Sequence, residues 1–326
     1  MKSLCTEYAV EPCAIRNYSD FRYIFEKFGF SQGRLIVKVP GEWERALIDA
    51  CLDPIDKAKI QERLKKLAVV RVVSAPPIGS ERPTSWAGHV AAIHKRYPLA
   101  GAITSTDPVD TGVMPPAVRL QDCDEEFLPE VREDQVRRTA EDISEVSRSL
   151  FRHSARVAIV DPYFNPFSAK CRESLKKFIE IARQERCEYL DIIAPDRWID
   201  RKTAATELET QVSRVYGIGK KRPVLKFIFL PESSRRSDFH HRFLLSDFGA
   251  IRFDAGVAAE SSDKWTDVIL VARARHQELI EQYLVGAKNE TDAYIWEWPR
   301  ISAGYRLTPH SGIGFPPREV RVAERT

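Results

Sequence analysis

The sequence predicts an α/β protein: a small N-terminal α/β unit followed by a larger unit with a mixed sheet flanked by helices. Three observations carry this expectation. Short β-branched runs alternate with amphipathic stretches across residues 34–104 and again across 156–216. Several short apolar runs then cluster between residues 224 and 272, as strands of one sheet do. Between Asp107 and Pro129 the composition shifts to Pro, Asp, Glu and Gly without periodicity, which separates the two patterns.

The bulk properties set the outer limits. A chain of 326 residues is long enough for two domains, and 43% hydrophobic with 30% charged residues is ordinary for globular proteins. A net charge of +3 is mildly basic and neither demands nor excludes a nucleic-acid partner. The six cysteines are scattered without a C-x-x-C pair, which argues against a cysteine-built zinc site and a disulfide framework. Met1 to Glu7 lacks the apolar stretch of a signal peptide, and no run reaches membrane-spanning length. A cytoplasmic protein with no membrane partner is expected.

Arg34 to Val39 reads as a strand. Asp53-Pro54 opens a helix running to Leu67, with aspartate as cap and proline in the first turn. Ala68 to Val73 is a second strand, Trp86 to Tyr97 a helix and Leu99 to Thr104 a third strand. These place an N-terminal domain at 1–106 and a linker at 107–131. A long amphipathic helix is expected from Arg132, with Val136, Ile143, Val146 and Leu150 on its apolar face. Arg156 to Tyr163 follows as a strand, Ser168 to Gln184 as a helix, Tyr189 to Ala194 as a strand and Ala204 to Tyr216 as a helix. Val224 to Leu230, the segment around His240, Ala250 to Asp254 and Thr266 to Ala272 complete the strands, and His276 to Val285 is a helix. Tyr294, Trp296 and Trp298 alternate as a strand would, ending a domain at 132–298. The Pro-, Gly- and Arg-rich tail at 299–326 reads as irregular.

Candidate chemistry centres on Phe239-His-His-Arg-Phe-Leu-Leu-Ser-Asp247. Period-two alternation on a strand would project His240 and Arg242 from one face and His241, as a packing residue, from the other. An imidazole beside a guanidinium suits phosphate: the guanidinium offers a planar fork of donors, and the imidazole attacks or moves protons near neutral pH.

This H-x-R-x4-D spacing resembles the H-x-K-x4-D signature of the phospholipase D superfamily. The order of elements from Arg156 to Val285 is also similar to one half of that fold. Val157-Ala-Ile-Val-Asp-Pro-Tyr-Phe164 resembles a strand ending found in bacterial members, and Gly249-Ala-Ile-Arg-Phe-Asp-Ala-Gly256 resembles the hairpin after the signature. The resemblance covers the C-terminal half of the chain. It implies a phospholipase D-like sheet and a phosphohistidine mechanism that requires neither metal nor cofactor. His240 would attack phosphorus, Arg242 would stabilise charge on the equatorial oxygens, and Asp247 would orient a histidine.

The chain departs from the pattern at three points. Arg242 stands where lysine is usual, Val257 follows Gly256 where a serine is common, and there is a single complete H-x-(K/R)-x4-D motif, His94-Lys95-Arg96 lacking the aspartate. A second histidine would then come from another subunit, so a homodimer is expected. Asp161 at a strand end, Gly256 in the hairpin, and Arg235 with Arg236 just before the motif are the candidate substrate-binding residues. Lys220-Lys221-Arg222 is a further basic segment.

Two functions follow from the resemblance. One is a homodimeric, metal-independent nuclease, a type associated with bacterial restriction or anti-phage modules and with protein partners from the same operon. The other is a catalytically silent module that holds a phosphate or nucleic acid as sensor or scaffold.

Overall fold

The computed structural model describes residues 4–67, 71–78, 83–108, 112–130, 132–185, 187–216, 223–231, 240–285, 292–298, 305–307 and 319–321. The α/β class is as expected, and the chain divides into two compact units, Leu4–Arg132 and Glu133 onward.

The first unit is a five-stranded, wholly parallel sheet. Its strands are β1 (Thr6–Val10), β2 (Arg34–Lys38), β3 (Val72–Ser74), β4 (Gly101–Thr104) and β5 (Ala117–Arg119), in the order β3-β2-β1-β4-β5. Parallel strands are covered on both faces, so they read as continuous apolar runs; Leu35, Ile36 and Val37 of β2 are all fully buried. The helices are α1 (Tyr18–Lys27), α2 (Trp43–Ala50), α3 (Pro54–Leu67) and α4 (Trp86–Arg96). Side-chain caps set the starts of α1, α3 and α4: Asn17 Oδ1 accepts from Asp20 N at 2.9 Å, Asp53 Oδ1 from Asp56 N at 2.8 Å and Ser85 Oγ from Gly88 N at 3.1 Å. Phe21, Ile24 and Phe25 form the inward stripe of α1 and, with Phe28 just after it, pack with Trp43, Leu47 and Ile60 in one core.

Residues 107–131 are not a linker. They supply β5, place Leu128 in the core, and are tied down by side chains of the earlier elements. Buried Arg34 donates through Nε to Lys27 O at 2.8 Å and through Nη1 to Leu128 O at 3.0 Å and Pro129 O at 2.6 Å. Tyr23 Oη donates to Cys123 O at 3.0 Å. The bonds to Cys123, Leu128 and Pro129 span about a hundred residues of sequence, so composition alone could not reveal them.

The second unit is built on an eight-stranded mixed sheet. Its strands are β6 (Glu133–Arg137), β7 (Arg156–Val160), β8 (Tyr189–Pro195), β9 (Val224–Leu230), β10 (Phe243–Ser246), β11 (Ala250–Phe253), β12 (Trp265–Leu270) and β13 (Tyr294–Trp298). The order is β13-β9-β8-β7-β10-β11-β12-β6, with β7, β8 and β9 parallel and every other neighbour antiparallel. The helices are α5 (Ala140–Val146), α6 (Arg148–His153), α7 (Ala169–Gln184), α8 (Ala204–Tyr216) and α9 (Arg273–Leu279), the last continued by a π-helical stretch to Val285. One apolar cluster joins Val160, Ile193, Ile228 and Leu245 of the sheet to Leu279, Tyr283 and Leu284.

Three expectations are corrected here. The helix expected from Arg132 is the edge strand β6 followed by two short helices. Thr139 Oγ1 accepts from Asp142 N at 3.1 Å and so fixes the start of α5 after the strand. The strand expected around His240 begins only at Phe243, because its partner β7 ends at Val160 opposite Phe243. The tail at 299–326 includes an antiparallel strand pair, β14 (Tyr305–Leu307) and β15 (Glu319–Arg321), rather than being wholly irregular. Ala68–Val70 of the expected second strand and the basic segment 220–222 lie outside the described residues. Among the described residues no helix is long and apolar enough to cross a membrane.

Candidate functional site

The site lies where β7 ends, β10 begins and the chain turns out of β11. Asp161 follows β7 directly, and its main-chain N–H still bonds to Ile193 O at 3.1 Å. Its carboxylate is only 2% exposed and accepts two backbone hydrogen bonds, from Tyr163 N at 2.8 Å and from Val257 N at 3.3 Å. Burial pushes its pKa up, while those two N–H donors and the cations of Arg242 and Arg138 oppose the rise.

Gly256 makes this arrangement possible. Its φ is +82°, and a Cβ there would stand 2.8 Å from Asp161 Oδ2 and 3.3 Å from Arg242 Cδ. A glycine is therefore required for the turn to close over both side chains. Arg242, one residue before β10, donates through Nη1 to Asp254 O and lays its guanidinium over the Tyr163 ring at 4.7 Å. Its own carbonyl accepts from Phe253 N at 2.9 Å, which ties its backbone to β11. Arg197 reaches the same ring at 5.7 Å and donates to Pro162 O at 2.8 Å. Arg138 braces the turn from below by donating to Ala255 O at 3.0 Å. Arg242 and Arg138 thus act on the buried Asp161 carboxylate, while Arg242 and Arg197 lie over a Tyr163 ring that is 55% exposed.

Of the residues expected from sequence, Asp161, Arg242 and Gly256 meet here. His240 sits two residues before Arg242, exposed, in a turn rather than on a strand face. Strand parity therefore does not align it with Arg242. His241 is exposed instead of packed, with its ring 5.9 Å from that of Phe243. Arg235 and Arg236 lie outside the described residues.

Asp247 does not belong to this constellation. It follows the far end of β10, so about five extended residues, roughly 16 Å of chain, separate it from Arg242. Burial raises its pKa, with the Ser154 hydroxyl the first opposing influence. It cannot orient His240 within one chain.

Tyr163, Arg197 and Arg138 were not singled out from sequence. Tyr163 lies in the Asp-Pro-Tyr run and was within reach of a strand-end argument. Arg138 is delivered by the pairing of β6 with β12, for which no local signal exists.

The arrangement can hold an oxyanion beside an aromatic face. Guanidinium donors suit phosphate oxygens, an exposed ring suits a flat group such as a base, and an exposed imidazole can transfer protons or attack. No protein-family model matches the chain, and no curated protein matches it. Among solved structures it is similar to TrmBL2, an archaeal chromatin protein described as showing a novel mode of DNA binding. The two are 12% identical over 48% of this chain and 52% of that one, with a TM-score of 0.26. The chain therefore spans about half the length of that protein, and a superposition this loose carries no weight for the site.

Proposed function

We propose that the second unit is a metal-independent phosphodiesterase acting on nucleic acid, with His240 as nucleophile and Arg242 as the charge-stabilising cation. A homodimer would bring a second His240 to protonate the leaving oxygen. The observation that carries this reading is the fixing of Arg242 by Asp254, Tyr163 and Gly256 two residues from an exposed histidine. In the step itself, the His240 ring nitrogen would form a bond to phosphorus as the ester oxygen departs with a proton from the partner's imidazole. Water would then release the phosphoryl group by the reverse proton path. The exposed Tyr163 ring favours a polymer with bases over a lipid headgroup.

A silent phosphate-holding module is the second reading. It is favoured by Arg242, whose guanidinium is already committed to a carbonyl and a ring where the resembled family has a lysine.

Incubating the full chain with labelled single- and double-stranded DNA and RNA in EDTA separates the two. Cleavage that persists in EDTA and vanishes in His240→Ala is expected, together with a dimer in sedimentation. Binding without any cleavage, even in Arg242→Lys, would establish the silent module; neither binding nor cleavage would overturn both.

A further inference from the structure

The first unit carries a separate site. Its chain starts in the centre at β1, builds outward through β2 and β3, and then returns to β4 on the other flank. The strand order reverses between β1 and β4, and in open parallel sheets such a switch point leaves a crevice beyond the carboxyl ends. A cavity of about 520 Å3 lies there, inside the size range of small-ligand sites. Its walls come from three strand ends: Arg16 and Ser19 after β1, Ser105 after β4, and Arg119 at the end of β5.

The polar groups are held in place by neighbours. Glu11 Oε2 accepts from both Ser105 N and Ser105 Oγ at 2.6 Å, clamping the ends of β1 and β4 together. Arg16 donates through Nη2 to Ser105 O at 3.4 Å. Arg119 is gripped by Asp122 at 2.6 Å and Asp107 at 3.2 Å, which limits the freedom it would lose on binding. Tyr23 and Leu120 add apolar wall to the same cavity.

We propose that this crevice binds a phosphorylated small molecule of mononucleotide size, with Arg16 and Arg119 taking the phosphate and Tyr23 with Leu120 flanking the ring. Two guanidinium groups line the one cavity, and each offers the forked donors that suit a phosphate. The exposed hydroxyl of Ser19 suits a sugar, and the volume is far larger than inorganic phosphate fills. The site is independent of the phosphodiesterase reading, since none of its residues belongs to the second unit.

Calorimetric titration of the full chain with AMP, GMP, CMP and UMP, with adenosine and with inorganic phosphate tests it. At least one nucleotide is expected to bind, with adenosine and phosphate each weaker by about tenfold or more, as loss of a charged hydrogen-bonding partner implies. Arg16→Ala, at an exposed position, and Arg119→Ala should each weaken nucleotide binding by about tenfold. His240→Ala should leave it unchanged. Absence of binding by every nucleotide, phosphate binding as tightly as the nucleotides, or binding that survives Arg16→Ala but is lost in His240→Ala would each overturn the proposal.

Discussion

Replacing Gly256 by alanine tests how the candidate site is closed. The new Cβ would meet Asp161 Oδ2 at 2.8 Å, closer than such contacts occur, on a backbone with φ of +82°. The left-handed conformation costs a non-glycine residue about 1–2 kcal/mol. Asp161 must also retreat, which weakens the hydrogen bond its buried carboxylate accepts from Val257 N at 3.3 Å. A hydrogen bond to a charged group is worth about 1.5–3 kcal/mol, and the stiffer unfolded chain returns about 0.4–1 kcal/mol. The net expectation is about 3 kcal/mol of lost stability for the second unit, read from urea unfolding followed by tryptophan fluorescence. A double-mutant cycle isolates the cause. In an Asp161→Ala background the oxygen is gone, and Gly256→Ala should then cost only the backbone part, about 1 kcal/mol. Equal costs in the two backgrounds would refute the idea that Gly256 serves the close approach of Asp161.

Two further outcomes are expected. Arg34→Ala leaves the carbonyls of Lys27, Leu128 and Pro129 without their buried donor; a loss of about 3–5 kcal/mol and faster proteolytic cleavage between residues 120 and 130 should follow, measured by urea unfolding and limited proteolysis. His276 is buried, its Nε2 lies 2.7 Å from Ser246 O, and burial lowers its pKa below the ordinary 6.5. Unfolding lets it take up a proton, so its contribution is complete above 6.5 and is lost as pH falls through the depressed folded value. His276→Gln should flatten the decline of stability between about pH 7 and pH 5 in parallel urea titrations.

The parallel strands β2, β4, β7, β8 and β9 are plain in the sequence because burial on both faces favours apolar runs, as in Val157-Ala-Ile-Val160, whereas β1 and β5, with Thr6, Glu7 and Arg119 among their few residues, are not. Asp53-Pro54 and Ala204–Tyr216 were equally plain, since caps and periodicity are local. Strand β6 was misread because Glu133-Asp-Gln-Val-Arg137 has only one buried side chain, and its structure comes from a distant partner. The same limit applied to the site. Arg242 is legible from motif spacing, Asp161 from its strand-end position and Gly256 from the hairpin after the motif, whereas the separation of Asp247 from them follows from where β10 starts and stops. The bonds that fold 107–131 onto the first sheet are made by Arg34 and Tyr23, whose roles no neighbouring residue announces.

The position of β6 also governs when the second unit can finish forming. It is the first strand of that unit to leave the ribosome, yet its partner β12 is synthesised on the order of 130 residues later. Closing a loop of that length costs about 4 kcal/mol of chain entropy before any pairing offsets it. The edge of the nascent β11–β12 hairpin therefore stays uncovered until β6 returns to it, and the charges of Glu133, Asp134 and Arg137 keep that waiting strand from pairing with other chains.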